Sequence, residues 1–431
     1  MKIYRFLLIA ILSVSALLTV MTGCKYDAAE PLWDSPATTT TAATITSIDP
    51  AQAPAGVNYI TIHGTNFTSA LDSTIIQSYF VDTTHSRDTT ILYSGVYFDN
   101  VPAEIVDCSS TMIKVRRPNI ASSSCIVKVV PSKALIAAKS NPYTIDAVVA
   151  AYGGFMDNEQ FSTVAMDNAE NLYTVATVSR AITKVTPTGQ KTVFTGLATK
   201  APTDARVNPA GDKMYLLSTA RKIDVVDLQT GSVALLALPT SGNQLPSGKL
   251  VSFGDFDTTG YFYCGGSRTG IIVIPPNLTV PSATLYTTDN ITAMRIYKGY
   301  LYVLVKPAAG TPALVMNRHL IGTNGTLGAQ EQWLVLDQTI ARTSVTTIKS
   351  MTFAANGTLY LCTNSTNPIL MVDPSTKNID YLYKGLIPSY GSQFCSFSKL
   401  TSSGVATNLY VITGDGTTQL QYNVYQVNLG S

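Results

Sequence analysis

Charge is scarce in this chain. Asp, Glu, Lys and Arg make up only 13% of its 431 residues, and histidine occurs three times. From about residue 155 onward the one histidine is His319, and glutamate stands only at Glu159, Glu170 and Glu331. Zinc and copper centres draw on several nitrogen or sulfur ligands, so a histidine-rich metal site is excluded over that span. GxSxG elbows, HExxH pairs, EF-hand spacings and phosphate-cradling glycine loops leading into helices are also missing. After the first 23 residues no apolar run is long enough to span a bilayer. Setting aside Lys2 and Arg5, in a segment expected to be removed, leaves 27 basic against 27 acidic residues. That balance argues against a nucleic-acid or polyanion partner held by bulk charge.

What is abundant is Thr, Ser, Gly, Tyr and Val, a composition that favours strands and turns. The length allows two or three domains with a large buried core. At the start, Lys2 and Arg5 precede the apolar run FLLIAILSVSALLTVM and then Thr22, Gly23 and Cys24, the layout of a secretory signal. A small residue directly before a cysteine, behind such a run, resembles the lipobox of bacterial lipoproteins. The resemblance implies that residues 1–23 are removed, that Cys24 is acylated, and that the mature chain is tethered to a membrane. Met21 is an imperfect lipobox residue; an ordinary signal cut elsewhere and an uncleaved anchor are the alternatives. Residues 24–44, rich in threonine and poor in apolar side chains, read as a flexible tether, with Trp33 a weak contact within it.

From Ile45 to about residue 146, alternating runs separated by Pro and Gly turns predict a small β-sandwich. Ile48, Pro50, Gly56, the run Thr61 to Phe67, Val96 to Ala103 and Ile113 to Pro118 resemble the IPT/TIG family of immunoglobulin-like domains. In that pattern Gly64 permits a sharp turn after its strand and Phe67 returns to plug the core. The span 68–94, with Tyr79, Phe80, His85 and Tyr93, is longer than the family usually carries and reads as an extra hairpin or a binding loop. Apart from Cys24, the cysteines are Cys108, Cys125, Cys264, Cys362 and Cys395, with no CxxC pair. Cys108 with Cys125 is the expected disulfide, and the other three are expected to be buried free thiols.

Residues 147–431 are organised by a recurrence. A turn residue followed by an apolar run with one tyrosine returns at Tyr173, Tyr215, Tyr263, Tyr302, Tyr360 and Tyr410, at intervals of 42, 48, 39, 58 and 50 residues. Propeller blades of four strands repeat at about 40 to 50 residues, so six copies predict a six-bladed β-propeller. The blades are expected at Glu159–Leu197, Thr203–Leu238, Leu250–Thr288, Ile291–Gln338, Val345–Leu386 and Phe394–Gly430. The last holds only three strands, and a ring must avoid open sheet edges. The run Val148 to Gly153 is therefore expected to complete it, fixing the sandwich rigidly to the ring. AMDNAENLYTVA with RAITKVTPTGQKTVFTG, and FAANGTLYLCT with PILMVDPSTKNIDYLYKG, resemble NHL-type propeller repeats, which implies a fold and leaves the function open.

Arg180, Arg221 and Arg268 hold the same place in three successive repeats, between the tyrosine strand and the next. They are expected at one rim of the ring, either as a cationic face for an anionic or hydroxyl-rich ligand or bonded to backbone carbonyls between blades. Tyr390, in the turn IPSYGSQ, is the expected sugar-stacking aromatic, whereas Trp333 reads as outer-blade packing. His319 reads as solvent-facing, and Asp167, Asp255, Asp257 and Asp373 as Asx turns. The whole resembles cell-surface lipoproteins of Bacteroidetes-type glycan-uptake systems. That implies a non-enzymatic binding protein for a polysaccharide or oligosaccharide, lipid-anchored in the outer membrane beside a transporter, with no cofactor. A lactonase-like or lyase-like enzyme with a channel calcium, for which the sequence offers no support, and an envelope scaffold are the alternatives.

Overall fold

The computed structural model describes residues 42–67, 95–131, 136–156, 159–280, 285–310, 314–336, 348–388, 394–397, 401–402, 407–414 and 423–430. Cys24, the 68–94 insertion and Tyr390 lie outside these residues. The described fold is all-β. Its first part contains β1 (Thr44–Asp49), β2 (Tyr59–Thr65), β3 (Gly95–Phe98), β4 (Val101–Ala103), β5 (Ile105–Cys108), β6 (Met112–Arg116), β7 (Ser122–Val130) and β8 (Ala138–Ile145). They pair as two four-stranded sheets, β1-β2-β6-β5 and β4-β3-β7-β8, which enclose Ile60, Ile62, Phe98, Ile113, Val115 and Val127. Ile60 and Ile62 alternate with half-buried Tyr59 and Thr61 along β2, the period-two signature of a strand with one face on a core.

Phe67 does plug this core, at 1% exposure. Gly64 serves it differently from expectation, because it lies within β2 and not in a turn. A Cβ there would come within 1.9 Å of the Thr44 carbonyl oxygen and 2.4 Å of the Phe67 ring. The left-handed residue that turns the chain is Asn66, at φ 57°. Cys108 and Cys125 are both free thiols, on strands of different sheets. Cys125 is buried with its sulfur 3.1 Å from the Tyr143 carbonyl oxygen, and burial raises its pKa. Cys362, expected to be a free thiol, is instead disulfide-bonded.

The second part begins with β9 (Val149–Ala151). Five sheets follow. The first comprises β10 (Phe161–Met166), β11 (Leu172–Ala176), β12 (Ala181–Val185) and β13 (Lys191–Leu197); the second comprises β14 (Asp204–Val207), β15 (Lys213–Leu217), β16 (Asp224–Asp227) and β17 (Val233–Leu235). A third has β18 (Phe253–Phe256), β19 (Phe262–Gly266) and β20 (Gly270–Ile274). The fourth is formed by β21 (Asn290–Tyr297), β22 (Tyr300–Lys306), β23 (Val315–Leu320) and β24 (Glu331–Val335), and the fifth by β25 (Ile348–Phe353), β26 (Leu359–Thr363), β27 (Ile369–Val372) and β28 (Ile379–Tyr381). Among the described residues the third sheet stops at three strands. Pro275 and Pro276 directly after β20 remove the backbone donors that a continuing hairpin would use.

The sixth sheet is built from β29 (Phe394–Phe397), β30 (Thr401–Ser402), β31 (Thr407–Gly414) and β32 (Asn423–Asn428), in the order β29-β31-β32-β9 with β30 on β31. Its outer strand is thus borrowed from the interdomain segment, as Tyr425 opposes Ala151 and Val427 opposes Val149. The first strands stand side by side in the order β10, β14, β18, β21, β25, β29, and β29 packs on β10 again. All six recurrent tyrosines fall on the second strand of their sheets. Tyr173, Tyr263, Tyr302, Tyr360 and Tyr410 are buried, because that strand has sheet neighbours on both edges and packed residues on both faces.

The two parts are joined through the fifth and sixth sheets. Tyr383 Oη accepts from Gly56 N at 2.7 Å and donates to the Asn428 carbonyl at 2.7 Å. Arg116 meets Asp380 at 2.9 Å, Tyr59 bonds the same carboxylate, and Lys384 reaches Glu104 at 2.8 Å. Burial beside Asp380 pushes the Tyr59 phenol up to about 12, so it remains a donor at neutral pH. Ala55, Val149 and Leu429 pack on the core between the fifth and sixth sheets, so apolar burial reinforces these polar ties.

Candidate functional site

A cavity of about 780 Å³ opens where the first strands of five sheets converge. Its walls carry Ala165, Arg206, Asp255, Arg295 and Thr352, and its rim is made by the turns after those strands, including Asn208, Asp257, Thr259 and Lys298. The connection after β23 adds Thr323 and Asn324 to the rim. That connection reaches across to the third sheet, where Gly325 takes φ 72° and lies so close to the Tyr261 ring that a Cβ would come within 2.3 Å. Any side chain at Gly325 would push this flap off Tyr261.

Four charged side chains form the floor. Asp204 is 2% exposed, Arg206 6% and Arg295 5%. Arg295 forks onto Asp204 at 3.0 and 3.2 Å and reaches the Ser350 hydroxyl at 3.3 Å. Asp204 also accepts from Ala205 N at 3.1 Å and Gly254 N at 3.2 Å, so one carboxylate ties the second, third and fourth sheets together. Asp255 accepts from Phe256 N at 3.0 Å and, across the sheet gap, from Ile296 N at 2.8 Å. Arg206 donates through Nη1 to the Ala205 carbonyl at 2.9 Å, while its Nε and Nη2 make no hydrogen bond. Unmet buried donors cost about 1–3 kcal/mol each, so an oxygen arriving at that edge would recover the loss.

Burial pushes the Asp204 carboxyl up to about 6 against the pull of Arg206, and burial raises Asp255 as well. At neutral pH two guanidinium groups face two carboxylates, and the floor is balanced. Among the described residues, no group of three His, Cys, Asp or Glu is placed to hold a metal ion.

A second hollow, of about 400 Å³, adjoins the first, since Tyr297 and Phe353 line both. Those two rings stack at 4.8 Å and 10°. Beyond them Phe353 meets Tyr302 at 4.6 Å, and Tyr302 meets Trp333 edge-on at 5.4 Å. Arg318 pairs with Glu331 at 2.6 Å, and the Lys377 ammonium stands 3.7 Å above the Trp333 ring. Trp333 therefore packs against the core between the fourth and fifth sheets, as its apolar strand suggests, and also lines this hollow.

Arg180, Arg221 and Arg268 occupy turns between second and third strands, at the opposite ends of those strands from the cavity rim. Arg180 donates to the Thr199 carbonyl at 2.8 Å and Arg221 to the Leu245 carbonyl at 2.8 Å, both in the chain leading to the next sheet. The Arg268 backbone N–H donates to the Asp289 carbonyl at 2.9 Å. His319 is fully buried on β23 rather than solvent-facing, 2.8 Å from the Tyr286 hydroxyl, and burial lowers its pKa. Asp167, Asp257 and Asp373 cap turns, each accepting from the backbone two residues on at 2.9 Å. Asp255 departs from that pattern by lying within β18 on the cavity wall. The available signal was a charge inside a first strand: DARV, FGDF and AMRIY each break an apolar run at similar places in three consecutive repeats. In the described residues no helix is long and apolar enough to cross a membrane.

Comparison with solved structures finds similar folds at low identity. An auxiliary nutrient binding protein from Bacteroides thetaiotaomicron is 8% identical, with a TM-score of 0.49 and 91% of this chain and 99% of that chain covered. A protein of unknown function from the same organism is 10% identical, with a TM-score of 0.47 and coverage of 91% and 100%. A gluconolactonase from Xanthomonas campestris is 13% identical, with a TM-score of 0.45 and coverage of 63% and 88%. No curated protein matches the chain. Within it, residues 43–146 match the IPT/TIG domain.

Proposed function

We propose that this chain is a non-enzymatic, lipid-anchored binding protein of the outer-membrane surface. It holds a polysaccharide or oligosaccharide on a six-bladed, NHL-like β-propeller whose ring is closed by β9, and it works beside an uptake transporter. The observation that carries the glycan reading is the continuity of the two hollows. Hydrogen-bonding side chains fill one, aromatic rings line the other, and the Tyr297–Phe353 stack bridges them. Sugar chains present hydroxyls at their edges and C–H faces to rings, so an elongated site with both surfaces suits several consecutive units. Anchoring rests on Cys24 and the apolar run before it, and the tether to residue 44 gives the folded part reach from the lipid.

Affinity electrophoresis of the chain lacking residues 1–24 through gels containing a polysaccharide panel tests this reading. Retardation by at least one glycan, abolished by Arg206→Met and weakened by Trp333→Ala, is the expected result. Migration unaffected by every polysaccharide, or release of reducing ends during the run, would overturn it.

A further inference from the structure

The floor of the cavity contains a donor edge without an acceptor, and the groups around that edge select what can fill it. Nε and Nη2 of Arg206 lie on one side of a guanidinium that is 6% exposed and lines the cavity, and neither makes a hydrogen bond. Asp204 Oδ1 lies 3.2 Å from Nη2 and Asp255 Oδ1 lies 3.9 Å from Nε, so the edge is flanked by carboxylates that do not satisfy it. The second guanidinium, on Arg295, is committed to Asp204 through both of its terminal nitrogens and offers no spare charge. On the rim, Lys298 and Asp257 again supply one charge of each sign.

Resting on the glycan reading above, we infer that this floor is a subsite for a neutral sugar, whose adjacent ring hydroxyls accept from Arg206 and donate to Asp255. A hydroxyl both accepts and donates, so it meets the guanidinium and a carboxylate at once. A carboxylate or sulfate ligand accepts only; it would satisfy Arg206 but stand against Asp255 and Asp204, with no uncommitted cation to offset them. An ammonium ligand would meet the reverse conflict with Arg206. The selection therefore runs against both uronic and amino sugars, although an arginine at a cavity floor would by itself suggest an anion.

Calorimetric titration of the purified full chain in detergent tests this with matched oligosaccharides: galactohexaose against hexagalacturonate, and mannohexaose against hexamannuronate. The neutral member of at least one pair is expected to bind tenfold or more tightly than its carboxylated counterpart. Arg206→Met should lower neutral-sugar affinity at least tenfold. Asp255→Asn, an isosteric change that keeps an acceptor for the neighbouring backbone N–H groups, should lower it severalfold and narrow the gap between pair members. Tighter binding of a carboxylated member, or neutral binding unchanged within twofold in Asp255→Asn, would overturn the inference and leave the glycan reading standing. Absence of binding by all four probes would overturn both.

Discussion

Replacing Asp204 should injure the ring more than any other single change at the cavity. Asp204→Ala leaves Arg206 and Arg295 without their shared counter-charge, with side chains only 7% and 6% exposed. Removing one partner from a buried ion pair typically costs 3–5 kcal/mol, roughly, because the remaining charge is stranded out of water. At about 2–4 °C per kcal/mol for domains near this size, the melting temperature should fall by roughly 10 °C. The carboxyl also gives a pH signature. Its folded pKa of about 6 lies above the ordinary carboxylate range, so the folded state binds the proton more tightly than the unfolded state. Stability from this group is therefore fully present below about pH 4 and lost as pH rises through 6. Between pH 7.5 and pH 4.5 the wild type should gain about 2 kcal/mol relative to Asp204→Asn, which cannot titrate there. Scanning calorimetry of wild type, Asp204→Ala and Asp204→Asn at both pH values measures each quantity. A drop of less than 2 °C in the alanine variant at pH 7.5, or a wild-type advantage that does not change with pH, would refute the reasoning.

Three further outcomes are expected. Tyr383→Phe keeps the packed ring but strips the acceptor from Gly56 N and the donor from Asn428 O, so it should cost about 1–3 kcal/mol and speed amide exchange at Gly56; unchanged exchange would contradict the role given to this tie. Trp333→Ala should weaken binding of a six-unit glycan about tenfold while leaving a two-unit one unaffected, and in a Trp33→Phe background the fluorescence of Trp333 should report the same binding directly. Cys24→Ser should abolish incorporation of labelled fatty acid, and persistent labelling would remove the anchor from the account.

The recurrent tyrosines made the repeat legible because each stands on a second strand, where neighbours on every side enforce an apolar run with one anchoring hydroxyl. Tyr173 and Tyr263, for example, donate to Asp167 and Asp257 in the turn just before their strands. The borrowed strand was legible for a related reason: the last repeat ran out of strands before the sheet was complete. The cavity was harder to find. A turn arginine such as Arg180 repeats conspicuously, yet it lies at a sheet end where backbone carbonyls are free to satisfy it. A charge within an inner strand, such as Asp204 or Arg295, has no such escape and needs a partner from another sheet, a contact between residues 91 positions apart that no local pattern displays. The same remoteness hid the second role of Trp333, whose hollow is completed by Lys377 and Pro374 from the next sheet.

Hydrogen exchange with and without the glycan retained in affinity electrophoresis tests most directly which end of the ring binds. Protection is expected over 206–209, 255–259, 295–299 and 352–357, the segments that line the two hollows. Protection confined to 178–181, 219–222 and 267–270, around the three turn arginines, would place the ligand on the opposite face and contradict the account.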